Sequence, residues 1–74
     1  MNNKYEKKIG KNIKKLREEK CMTHEQLSAK LQLLGCDIKR SELAKIEVGQ
    51  RHLYIDEVKL IKEILDISFD VLII

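Results

Sequence analysis

Apolar residues recur along this chain at helical spacing, and the breaks in the pattern fall at residue types that end helices. Tyr5, Ile9, Ile13 and Leu16 repeat at three- and four-residue intervals with Lys and Glu between them, which predicts an amphipathic helix over roughly residues 4–20. Thr23-His24-Glu25-Gln26 then forms a capping-box pattern. Thr23 can accept from the third helical amide, and Gln26 can reach back to the cap. Met22 and Leu27 flank the box as a hydrophobic staple. The second helix runs on through Leu27, Leu31 and Leu34 and stops at Gly35, a residue suited to a left-handed C-terminal cap.

Asp37 is the expected cap of a third helix over about 38–47, with an inward stripe of Ile38, Leu43 and Ile46 and an end at Gly49. Residues 50–54 read as a loop. A fourth helix follows, with Asp56 and Glu57 in its first turn and Val58, Ile61 and Leu65 facing inward. Ser68 then caps a short final helix whose core residues are Phe69 and Leu72. Five helices with short joints, the second and third meeting at a turn, predict an all-α domain with a helix-turn-helix.

Composition agrees. The 74 residues are 43% apolar and 36% charged, with no proline and three glycines, a balance that favours helices over a turn-rich β fold. So short a chain is expected to form a single domain over residues 1–74, with little core left over to enclose a catalytic pocket. The net charge of +3 is unevenly spread: residues 1–20 hold eight Lys/Arg against three Glu, whereas residues 51–74 hold three against five acids. A basic end and a mildly acidic end suggest one side turned toward a polyanion.

Two cysteines, Cys21 and Cys36, make no disulfide framework, and the start MNNKYEKK lacks the apolar run of a signal peptide or membrane span, so a cytoplasmic protein with reduced thiols is expected. Cys21-x-x-His24 has a plausible local metal spacing, but Cys36 and His52 are single residues rather than a second tight pair. No metal and no cofactor are expected. No activated serine, Gly-rich phosphate loop or isolated carboxylate pair is present, which argues against an enzyme.

From Ile9 to Leu72 the chain resembles the lambda-repressor/Cro-like (XRE-type) helix-turn-helix family. The resemblance is carried by Ile13-Lys14-Lys15-Leu16-Arg17-Glu18-Glu19-Lys20, by Met22-Thr23 opening the second helix, and by Leu43-Ala44-Lys45-Ile46-Glu47-Val48-Gly49. Ile67-Ser68-Phe69-Asp70 adds looser support. It implies a five-helix DNA-binding domain that reads double-stranded operator DNA as a transcriptional regulator, a dimeric repressor. The alternative is an antitoxin-type or other protein-interaction module on the same fold, binding DNA secondarily.

By position, the resemblance implies that Lys39, Arg40, Ser41, Glu42 and Lys45 meet base edges in the major groove. Arg40 has the fork for guanine O6 and N7. It implies phosphate contacts from His24, at the start of the second helix, and from Gln50, Arg51 and His52 after the third. Lys11 and Lys14 or Lys15 add charge from the first helix. Arg17 and Glu47 correspond to a structural ion pair of the family. Three features depart from the pattern. Cys21 stands where relatives usually have Gly, and Lys39 replaces the usual Ser/Thr cap of the third helix, a task that falls to Asp37. Gln32-Leu33-Leu34-Gly35-Cys36 is an apparent five-residue insertion that should lengthen the second helix.

At the acidic end, Leu60, Ile64, Ile67, Val71, Ile73 and Ile74 exceed what one inward stripe can hold. They are expected to form the interface of a homodimer.

Overall fold

A computed structural model describes residues 3–73. Five helices follow one another: α1 (Asn3–Glu19), α2 (His24–Leu33), α3 (Arg40–Glu47), α4 (Ile55–Leu65) and α5 (Phe69–Ile73). No strand occurs among the described residues. Helix α1 packs on α3 and α5, and α2 packs on α3 and α4. Together they enclose Ile9, Ile13, Leu27, Leu31, Leu43, Ile46, Val58, Ile61, Leu65 and Leu72. The flanking segments add Ile38 and Leu53. No helix among the described residues is long and apolar enough to cross a membrane.

The helix ends share one device. After α1, the Met22 amide donates to the Arg17 carbonyl and the Cys21 amide to Glu18, each at 3.0 Å. This pair of backward bonds is the Schellman motif, which needs a left-handed residue just past the helix. The same two bonds close α2 around Gly35, α3 around Gly49 and α4 around Asp66. All four pivots have positive φ: Cys21 54°, Gly35 82°, Gly49 78° and Asp66 55°. Cys21 therefore makes the same sharp turn as the two glycines, with its Cβ in a region that disfavours side chains.

At the N-termini, Thr23 and Gln26 form the reciprocal capping box, at 3.1 and 2.9 Å. In α3 and α4 the cap residue supplies no side-chain bond. Instead a glutamate three residues on reaches back to the cap amide: Glu42 to Lys39 and Glu57 to Tyr54, both at 3.0 Å.

Several sequence expectations need correction. The third helix begins at Arg40 rather than 38, and Lys39, not Asp37, occupies the cap position. Ile38 is held ahead of the helix because its carbonyl accepts the buried Ser28 hydroxyl at 2.6 Å. Gln32 and Leu33 finish α2, while Leu34, Gly35 and Cys36 fall in the α2–α3 connection. The extra residues are thus shared between helix and turn. Leu34 is consequently exposed rather than in the stripe, and Leu33 is 86% exposed.

On α1 the inward stripe runs Glu6, Ile9, Ile13 and Arg17, so Tyr5 is left 56% exposed. Phe69 stands outside the core, with the Lys62 ammonium 5.2 Å from its ring centroid. Of the expected interface residues, Leu60, Ile64 and Ile67 are already half-buried against the core, and Val71 is exposed. The Ile73 side chain and Ile74 lie outside the described residues.

The strained pivot gives a direct expectation. Cys21→Gly removes the left-handed penalty of a β-carbon and should stabilise the fold by about 0.5–1 kcal/mol in urea titration, after the greater freedom of glycine in the unfolded chain is offset. An unchanged or lower midpoint would show that Cys21 is not strained.

Candidate nucleic-acid interface

Helix α3 is short, and its pose depends on what grips its two ends. Gly10 on α1 lets the helices touch: a Cβ there would collide with the Ile46 carbonyl and sit 3.1 Å from Glu47 Cα. At that crossing the Arg17 guanidinium forks onto the Glu47 carboxylate, Nε to Oε2 at 2.8 Å and the second amino group to Oε1 at 3.1 Å. Its remaining amino group donates to the Met22 carbonyl at 2.6 Å. The bond to Glu47 holds the guanidinium pKa above its usual value, against the opposing effect of burial. The Glu47 side chain is 2% exposed.

His24 joins this pair, its Nε2 lying 2.8 Å from Glu47 Oε1. A carboxylate can only accept, so Nε2 carries the hydrogen and Nδ1 is the nitrogen left for another partner. His24 is only partly exposed, at the first position of α2. Its ring therefore helps seat α2 on α3, which sequence spacing gave no means of seeing.

The loop after α3 is held by a second set of carboxylates. Arg51 forks onto Glu57 at 3.0 and 3.2 Å, donates to the His52 carbonyl at 2.9 Å, and has its Nε 3.4 Å from Glu42 Oε2. Its guanidinium pKa is raised, chiefly by the Glu57 bond. Buried Glu6 accepts the Leu53 amide and lies 2.9 Å from His52 Nδ1. His52 and Tyr54 meet edge to face, 4.8 Å between centroids. Of the four residues expected at phosphates, Arg51 and His52 are thus engaged with internal carboxylates and His24 has one nitrogen engaged. Gln50 is exposed.

The expected base-reading set also divides. Lys39, Arg40, Ser41 and Lys45 are exposed. Glu42 is not free in the same way, since one oxygen caps the Lys39 amide and the other faces Arg51. The Lys39 amide bond, then Arg51, holds the Glu42 carboxyl below its usual value of 4.5. Two exposed residues on the same side of α3 were not foreseen, Ala44 and Val48. A helical wheel would have placed them there. Lys7 was also missed: a side chain at Gly49 would meet its Cγ and Cα, so its stem lies against the end of α3.

Neither cysteine takes part. Burial, then nearby acidic charge, raises the Cys36 thiol pKa, and Cys21 is exposed. Among the described residues no three His, Cys, Asp or Glu side chains gather as a metal site. The result is a helix whose outward side is basic and polar, with its two acids turned toward Arg51, Arg17 and His24.

Residues 13–72 match the family model described as helix-turn-helix. No curated protein and no solved structure matches the chain.

Two outcomes test this geometry. Glu47→Leu should cost about 3–5 kcal/mol in urea unfolding by stranding the buried Arg17 charge, and adding Arg17→Met should recover much of that loss. Equal losses in the single and double variants would mean that the pair does not set the pose of α3. Glu42 provides the pH test. Its folded-state pKa is depressed, so its stabilisation is full above the unfolded value and is lost as pH falls through the folded one. The stability gap between wild type and Glu42→Gln should accordingly be constant above about pH 6 and narrow on acidification below about pH 4.5. A gap that does not change with pH would contradict the assignment.

Proposed function

The chain belongs to the XRE-type, lambda repressor/Cro-like helix-turn-helix family of DNA-binding regulators, and on that premise we propose that it reads double-stranded operator DNA as a dimeric repressor. The supporting observation is the outward side of α3. It exposes Lys39, Arg40, Ser41 and Lys45, while Glu42 and Glu47 are held by Arg51, Arg17 and His24. A short helix basic on one side and apolar on the other has the dimensions and charge to lie in the major groove.

Within this proposal Arg40 is the base-specific residue, donating to guanine O6 and N7. Ser41, Lys39 and Lys45 take base edges or phosphates around it. Gln50 and Lys7, beside the end of α3, contact the backbone, and His24 adds a contact through Nδ1. Arg51 and His52 act by holding the loop against Glu57 and Glu6. The single domain, the cytoplasmic setting and the absence of enzymatic activity belong to the same reading.

The two-fold contact is proposed through α4 and α5, on the acidic part of the chain away from α3. Val71 and Phe69 are exposed there, but Leu60, Ile64 and Ile67 are partly covered by their own core. The contact is therefore smaller than the run of apolar residues alone suggests.

Selection of bound sites from a random DNA pool tests the proposal. Enriched sites should be inverted repeats, with half-site centres about 34–36 Å apart. Arg40→Ala should weaken the preferred site by about 1–3 kcal/mol and relax base choice at one position per half-site. Failure to enrich any sequence, or an unchanged site ranking with Arg40→Ala, would remove α3 as the reading helix; single, unrepeated sites would remove the dimer.

A further inference from the structure

The basic side of α3 also carries an apolar run. Ala44, in the middle of α3, and Val48, the residue that caps its C-terminus, stand four residues apart, a spacing that places side chains one above the other. Both are exposed, Val48 at 56%, and neither belongs to the core cluster. Arg40 and Ser41 lie one turn before Ala44, and Lys45 lies next to it. The two acids of the helix are absent from this face, because Glu42 turns to Arg51 and Glu47 to Arg17 and His24. The surface thus carries cations at its N-terminal end and flank, beside an apolar run from the middle of α3 to its C-terminal end.

A complementary ligand must combine anionic surroundings with an apolar point of contact. In the major groove the base edges present hydrogen-bond donors and acceptors, with a single apolar substituent, the thymine C5 methyl. We propose that Ala44 and Val48 are specificity-determining residues that select thymine through its C5 methyl. This rests on the reading that α3 enters the major groove.

The contact involves no hydrogen bond. Its selectivity comes from removing methyl surface from water, worth about fourfold in affinity per methyl. Four residues of helix advance about 6 Å, roughly two base-pair steps of 3.4 Å. The two thymines therefore lie about that far apart in each half-site, one facing the middle of α3 and the other its C-terminal end. Arg40 reads a hydrogen-bonding edge, whereas the stripe reads shape and apolarity. The two modes give independent signals.

The test uses the enriched operator and replaces each thymine singly by deoxyuridine, which deletes the methyl and leaves every hydrogen-bonding group in place. Two thymines per half-site, about two base-pair steps apart, should each lose about fourfold in affinity when replaced. Ala44→Ser should abolish the penalty at one of them and Val48→Ser at the other, while the remaining penalty persists. Both substitutions are at exposed positions, and their thermal unfolding is followed in parallel. Should either variant fail to fold, the wild-type deoxyuridine scan still decides the matter through the number and spacing of sensitive thymines. An operator with no deoxyuridine-sensitive thymine, or penalties that survive in both variants, overturns the inference. The underlying reading fails differently, through a pool that enriches no site or an Arg40→Ala variant with unaltered ranking.

Discussion

A single buried carboxylate, that of Glu47, holds this small fold together. It lies at the C-terminal end of α3, where the helix dipole disfavours negative charge, and only 2% of its side chain meets water. Burial of such a group is tolerated only with full pairing. Arg17 supplies two parallel bonds from α1, and His24 supplies a third from the first turn of α2. Arg17 spends its other amino group on the Met22 carbonyl, inside the α1–α2 turn. Three helices and one turn therefore meet at one charge. The bidentate geometry fixes direction as well as distance, which sets the angle at which α3 stands on α1.

The same principle operates at the other side of α3. Glu57 and Glu42 share Arg51, while Glu6 holds the Leu53 amide and faces His52. In both networks the acids point into the molecule or along the loop, and the cations that do not serve them remain outside. This sorting gives α3 a basic outer side although the chain as a whole carries only +3. Charge distribution in the fold, more than net charge, produces the field a polyanion would meet.

The connections matter as much as the helices. Four turns built on Cys21, Gly35, Gly49 and Asp66 repeat one pattern of backward hydrogen bonds. The joint between α2 and α3 is pinned by the Ser28 hydroxyl on the Ile38 carbonyl, with Gln32 3.3 Å from the same hydroxyl. Asn12 ties α1 to the last helix through the Leu72 carbonyl at 2.7 Å. Buried polar side chains thus locate the short segments that apolar packing alone would leave free to slide.

Sequence by itself determined the features that depend on near neighbours. The five helices, the Thr23–Gln26 box, the stops at Gly35 and Gly49, and most of the core stripe rest on interactions within a few residues, so spacing and residue type suffice. The family motifs also placed Arg17 opposite Glu47. Tertiary structure decided what depends on distant partners. Glu6 goes inside in place of Tyr5 because the Leu53 amide, 47 residues away, needs an acceptor. Helix α3 starts late because Ser28 holds Ile38. Arg51, His52 and His24 look like unengaged polar side chains in the sequence, yet each meets a carboxylate that only packing brings near. Ala44 and Val48 belong between the two cases. Their spacing was legible, but only the closed fold, with Glu47 buried and Glu42 turned to Arg51, leaves them exposed beside basic residues.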